Sequence, residues 1–271
     1  MSRKLICLSI LLAATPVVAT PAMADGAPSF VSGGKLQACV DPTFPPMEFV
    51  KTPGEPPVGI DIDVIKALAA HWKVEANITA MDFNGLLPGL ESKRCDIVIS
   101  GALLKPERLE KFSGVPYLKT GVVMIGKAGD DTAYKSYEDF SGKVVAVQSG
   151  TSYIDLLNKV NDELAKAGHD KITLQTYPKQ TDAIQQVMIG RATGTISQDT
   201  EFAYRDLQQP GELKILYAAG AADQYAAYFR KDDADQAAVA GAVKALMADG
   251  TMKTIAEQWK LPLSTVTGVG E

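Results

Sequence analysis

The chain has 271 residues, 46% of them hydrophobic, and carries 27 Lys and Arg against 32 Asp and Glu, a formal net charge of −5. That acidic balance argues against nucleic acid or an anionic membrane surface as partner. Three cysteines and two histidines are too few for a clustered metal site, and the length exceeds the roughly 100 to 150 residues of a single typical domain, so two lobes are expected.

Arg3 and Lys4 precede the apolar run Leu5 to Ala14, and Ala22-Met23-Ala24 supplies the small residues of a cleavage site. Residues 1–24 therefore read as an export signal, with a mature chain starting at Asp25. Pro16 and Pro21 interrupt a run already shorter than the roughly 20 apolar residues of a spanning helix. Cys7 opens the apolar run and is not placed for lipid attachment, so the mature protein is expected free in the periplasm. It keeps 25 basic and 32 acidic side chains, a net charge of −7.

From there strands and helices alternate, the pattern of α/β layers. Leu36 to Val40 is a strand stopped by Asp41-Pro42. Val64, Ile65, Leu68, Ala69 and Trp72 share one helical face, with Asp61 or Asp63 as the cap. Val74 to Ala80 is the next strand, Asn84 to Ser92 a short helix, and Cys95 to Ser100 a buried strand. The pattern restarts with a strand from Lys143 to Gln148 and a helix from Tyr153 to Ala167 that Gly168 ends. A strand from Ile172 to Thr176, a helix from Asp182 to Ile189 stopped by Gly190, and a strand from Thr193 to Ser197 follow. The tail holds a strand from Tyr225 to Arg230 and a helical stretch from Asp235 to Trp259, broken near Gly250. His71 and His169 lie in polar, helical surroundings and read as solvated surface residues.

Ligands of open α/β sheets sit beyond the carboxyl ends of the strands. That points to Asp41 to Phe49, Ser100 to Arg108, Gln148 to Ser152 and Ser197 to Thr200. In Ser100 to Arg108 a strand ends, a turn exposes amides, and Pro106 starts a helix that carries Arg108, the makings of a carboxylate site. The same residues also fit a solvated acidic helix, since Glu107, Glu110 and Lys111 surround Arg108. Gln148-Ser149-Gly150-Thr151-Ser152 offers a second set of amides and hydroxyls at a helix start.

Together the stretches Asp41 to Phe49, Gly59 to Asp63, Gly85 to Leu90, Pro106-Glu107-Arg108, Val147 to Ser152 and Ala248 to Thr251 resemble the polar amino-acid family (family 3) of periplasmic solute-binding proteins, which feed ABC importers. The resemblance spans nearly the whole mature chain. It implies a two-lobed type II fold, each lobe a mainly parallel sheet flanked by helices. Residues 25–118 with 224–271 would form one lobe and 119–223 the other, with chain crossings near Lys119 and Asp223 acting as a hinge. It further implies a monomer that closes on an amino acid or related carboxylate, hands it to an inner-membrane permease, and uses no cofactor. Carried over residue by residue, Arg108 clamps the carboxylate with amides at Leu103 and Ser152, near Ser100, Gly101 and Thr151; Phe44 and Phe83 wall the cleft, and Asp41 lies near the ligand's side chain. Cys39 and Cys95, on strands that neighbour each other in this family, are expected to form a disulfide.

Two departures stand out. Leu103 replaces a family Ser or Thr, and the family's ammonium-binding Asp falls, counted from Gly190, on Gln198, with Asp199 one position later. A one-residue step in a strand turns the side chain to the other face, so either Gln198 or Asp199 reaches the cleft. An uncharged or substituted amine, or a ligand without a free α-amino group, then also fits the cleft. The competing functions are a dehydratase similar to the cyclohexadienyl dehydratases, with Asp41 or Glu48 as acid, and an accessory chemosensory receptor; no perturbed setting for acid catalysis is visible in the sequence, and a non-enzymatic binding protein is the expectation.

Overall fold

A computed structural model describes residues 26–270, so the expected export signal and its cleavage point lie outside the described residues. In chain order the strands are β1 (Lys35–Val40), β2 (Thr43–Phe44), β3 (Glu48–Phe49), β4 (Glu75–Ala80), β5 (Ile97–Val98), β6 (Phe112–Lys127), β7 (Val144–Gln148), β8 (Thr173–Tyr177), β9 (Gly194–Gln198) and β10 (Leu213–Arg230). The helices are α1 (Ile60–His71), α2 (Leu86–Glu91), α3 (Pro106–Leu109), α4 (Tyr153–Lys166), α5 (Gln180–Met188), α6 (Asp199–Gln208), α7 (Asp233–Ala248) and α8 (Thr251–Gln258).

The main sheet has the order β4-β1-β5-β10-β6-β9-β7-β8. β1 runs parallel to β4 and β5, and β7 runs parallel to β8 and β9. These two parallel halves are joined through the long antiparallel pair β6 and β10, which borders β5 at one end and β9 at the other. Thr120 pairs with Asp223 and Lys119 with Gln224, and the ladder slips between Ala218 and Ala222 just beyond. A register break there interrupts the regular hydrogen bonding of both crossing strands at one level.

One apolar cluster runs through both halves. Ile60, Ile62, Ile65, Leu68 and Trp72 of α1 are buried, and α7 and α8 pack back on α1. In the other half Val123, Ile125, Ala146, Ala183, Ile184 and Val187 form a separate cluster. Cys39 and Cys95 are joined by a disulfide, with Cα atoms 5.7 Å apart. Gly168 and Gly190 follow α4 and α5 at φ of 77° and 75°, the left-handed helix ending that glycine favours. His71 and His169 are exposed.

The start of α1 corrects a sequence expectation, since neither Asp61 nor Asp63 caps it. Gly59 is the N-cap, and the free amides of Ile60 and Asp61 donate instead to the carbonyls of Pro46 and Met47 at 3.0 and 2.8 Å. Gly59 sits at φ 139°, where a side chain would collide with the Met47 backbone. Backbone capping releases both carboxylates: Asp61 turns into the interior, and Asp63 accepts a bond from Trp259 Nε1 at 2.8 Å.

Candidate functional site

The carboxyl ends of β1, β5, β7 and β9 converge on one cleft between the two halves. Its lining includes Phe44, Phe83, Ser100, Gly101, Leu103 and Arg108 from the first half and Thr151, Ser152 and Gln198 from the second. Arg108, on the short helix opened by Pro106, is only 9% exposed. Its Nη1 donates to Leu103 O at 2.9 Å, and the guanidinium lies 5.8 Å from the ring centres of both Phe83 and Tyr228. The two rings and the carbonyl fix the guanidinium plane and leave its remaining donors for a ligand.

The turn before Arg108 is held from beneath by two buried carboxyl groups and a backbone amide. Asp61 accepts from the Gly101 amide and from Tyr117 Oη, each at 2.7 Å. Ser100 Oγ donates to Glu48 Oε1 at 2.8 Å and accepts from the Asp41 amide at 2.8 Å. Burial, with the charge and hydrogen bond of neighbouring Asp61, pushes the Glu48 carboxyl well above the usual range. Burial also raises Asp61, but there the bonds from Glu48, Tyr117 and Gly101 oppose it. The proton therefore rests on Glu48, whose Oε2 has no donor partner, and is shared with Asp61. Gly101, at φ 52°, lies flat under the Phe44 ring, so Phe44 is both cleft wall and core, packing 6.5 Å from Tyr225.

On the second side Gln148 ends β7, and its Nε2 donates to Asp41 Oδ2 across the cleft. Asn84 meets Gly150, and the Phe49 and Tyr204 rings are 5.4 Å apart, so the halves touch at three further points around the cleft rim and floor, counting the packing of α5 on β2. Burial raises the Asp41 carboxyl to about 6, against the bonds from Thr43 and Gln148; the charges of Asp82 and Lys179 act in opposite directions. The amides of Leu103 and Ser152 donate to no protein group among the described residues.

Gln198 is the last residue of β9 and lines the cleft, whereas Asp199 does not. The strand stays regular through Gln198, so the next side chain turns away. Asp199 opens α6 and accepts from Thr120 Oγ1 at 2.8 Å, beside the level at which β6 and β10 slip. Sequence reasoning did not single out Tyr153, Gln180 or Glu201. Tyr153 and Gln180 line the cleft, and Glu201, completely buried, binds Gln180 Nε2 at 2.8 Å, Ser197 Oγ, and the Arg205 guanidinium at 2.7 Å. The polar residues of α6 gave no signal, because its buried carboxylate acts only through partners brought in by α5 and β9. Among the described residues no group of His, Cys, Asp and Glu could hold a metal ion, and no helix is long and apolar enough to cross a membrane.

Comparison with known proteins places this cleft in context. The sequence profile described as bacterial extracellular solute-binding proteins, family 3, matches residues 36–262. The L-cystine-binding protein TcyJ of Escherichia coli K12 is 27% identical over 230 residues, covering 83% of this chain and 82% of that one. The ABC transporter arginine-binding protein 1 of the same organism is 30% identical over 232 residues, covering 83% and 90%. Among solved structures, an ancestral arginine-binding protein bound to arginine superposes with a TM-score of 0.75 at 30% identity, covering 83% of this chain and 98% of the other.

Proposed function

We propose, for a chain that belongs to the bacterial extracellular solute-binding proteins of family 3, has their type II two-lobed fold and serves as the substrate-binding component of an ABC importer, that its cleft captures a small carboxylate of the amino-acid class. The observation that carries this reading is Arg108: a buried guanidinium that takes part in none of the ion pairs among the described residues. A buried charge without a counter-charge is costly, and a ligand carboxylate offsets it. The unbonded amides of Leu103 and Ser152 supply further donors, one from each lobe.

In this reading residues 25–118 and 224–271 form one lobe and 119–223 the other, and the slipped level of β6 and β10 is the hinge. The contacts Asp41 to Gln148 and Phe49 to Tyr204 belong to the closed form, and only that form holds a ligand against Arg108 and Ser152 at once. The protein works in the periplasm as a monomer and delivers its load to an inner-membrane permease. Its relatives named above are binding proteins, and Glu48, the one carboxyl on the cleft lining, is committed to Ser100 and Asp61 and not free for acid catalysis.

Mass spectrometry of whatever co-purifies identifies the ligand, and calorimetry with that ligand tests the clamp. Arg108→Ala is expected to weaken binding by about 2 to 5 kcal/mol, the range for removing one partner of a buried charge pair. Unchanged affinity would refute the carboxylate assignment.

A further inference from the structure

The charges that face the cleft do not balance. Arg108 is the sole cation on the lining, and the sole carboxyl there is Glu48. Glu48 accepts from Ser100 and shares a proton with Asp61, so it presents no negative charge. The other polar side chains of the lining are amides, among them Gln148, Gln180 and Gln198, and hydroxyls, all neutral.

The carboxyl groups of Asp41, Asp61, Asp199 and Glu201 are already committed and lie off the lining. Asp41, 2% exposed, is bonded by Thr43 and Gln148. Asp61 takes the Gly101 amide and Tyr117. Asp199 is turned to Thr120, and Glu201 is paired with Arg205. A zwitterion enclosed here would neutralise Arg108 with its carboxylate and leave its ammonium without a counter-charge, so that the closed cleft would hold a net positive charge. A monoanion closes the same cleft at net zero. Gln148 and Gln180 also spend Nε2 hydrogens on Asp41 and Glu201, which leaves their Oε1 atoms as acceptors for a ligand donor.

We propose that the ligand is a monoanionic carboxylate without an α-ammonium group, a 2-hydroxy acid, with its carboxylate on Arg108 and its hydroxyl bonded by the glutamine side chains. This rests on the carboxylate reading of Arg108 and narrows it. A lining that is neutral apart from one guanidinium discriminates against the ammonium, because it offers that cation no direct carboxylate partner to offset its desolvation.

The test is calorimetry on the intact protein with matched pairs: L-lactate and L-alanine, L-3-phenyllactate and L-phenylalanine, and 2-hydroxy-4-methylpentanoate and L-leucine. The hydroxy acid of at least one pair is expected to bind at least tenfold more tightly than its amino acid. Gln198→Glu, which puts a carboxylate on the lining without changing side-chain length, should reverse the preference in that pair. An amino acid that binds the parent protein as tightly as its hydroxy acid, or a preference that Gln198→Glu leaves unchanged, overturns the proposal and leaves the carboxylate clamp standing. Binding of some acid that Arg108→Ala does not weaken removes the clamp itself, and this inference with it.

Discussion

Asp41 makes closure of the cleft sensitive to pH, in the direction set by burial outweighing the bonds and charges that oppose it. Its carboxyl is raised from 3.8 to about 6, chiefly by burial, and part of that burial comes from Gln148 on the opposite lobe. When the lobes separate, the bond from Gln148 and the charge of Lys179, which hold the carboxyl down, are lost, but water returns; burial is the larger effect, so the carboxyl relaxes toward its ordinary value. The closed form thus binds the proton more tightly than the open form, and closing takes up a proton at pH values between the two. Closure is therefore favoured as pH falls through 6 and gains nothing more below about 4, where both forms are protonated. If the whole shift belonged to the closed form, a fall from about pH 7.5 to about pH 5 would tighten ligand binding about tenfold, or about 1.4 kcal/mol. Glu48 and Asp61 are raised as well, but the groups that bond them, Ser100, Gly101 and Tyr117, all belong to the first lobe and stay with them when the cleft opens. Calorimetry across this range should show the rise in affinity, and Asp41→Asn should flatten it while binding at least as tightly as the parent near neutral pH. Affinity that falls on acidification, or a slope that persists in Asp41→Asn, refutes the argument.

Other substitutions probe the rest of the site. Arg108→Lys should recover little of the affinity lost in Arg108→Ala, because an ammonium cannot make the two-pronged contact; equal affinity by calorimetry would contradict that. Glu48→Gln should leave chemical-denaturation stability nearly unchanged, its amide replacing the shared proton, whereas Glu48→Ala should lose about 2 to 3 kcal/mol by stranding Ser100 and Asp61. Gly150→Ala should cost about 1 to 2 kcal/mol of stability for its φ of 81° and weaken ligand binding further, since its methyl would sit 2.7 Å from Asn84 Cα only when the lobes are closed. Labelling of the denatured, unreduced protein should find Cys39 and Cys95 unreactive, and opening that bridge across a separation of 56 residues should destabilise the protein by about 4 kcal/mol.

The elements legible in the sequence were those whose burial is one-sided. α1, α4 and α5 alternate apolar and polar faces, and glycines mark the ends of the last two, so periodicity found them. β6 is different: Phe112-Ser113-Gly114-Val115-Pro116 has no alternation, and its residues are strands only because β10 lies alongside. The first half of β10 was hidden for the same reason, since Tyr217-Ala218-Ala219-Gly220 has no strand preference of its own. At the site, the proline-started helix that carries Arg108 was a local signal, but the segment alone fitted a solvated acidic helix equally, and the clamp role came from the family resemblance. The Gln198 and Asp199 ambiguity was not resolvable locally, because it depends on where β9 ends against β6.

The buried carboxyl groups share one architecture on both sides of the cleft. Beneath the first lobe's turn, Glu48 and Asp61 hold Ser100 and the Gly101 amide; beneath the second lobe's edge, Glu201 holds Gln180 and Ser197 and is itself held by Arg205. In each case a carboxyl group that no water reaches is satisfied by the groups it positions, so the cost of burying it is met by the same bonds that orient the lining. The lining that results is neutral and preorganised, and Arg108 is left as its one uncompensated charge. A small ion enters such a cleft without having to reorganise it, so its binding energy goes into drawing the lobes together and not into ordering side chains. Selectivity then follows from charge before it follows from shape. Apart from the protonated Glu48, the carboxyl groups around the cleft have been drawn one layer behind the surface, and what they left in front is a set of amides and hydroxyls around a single guanidinium.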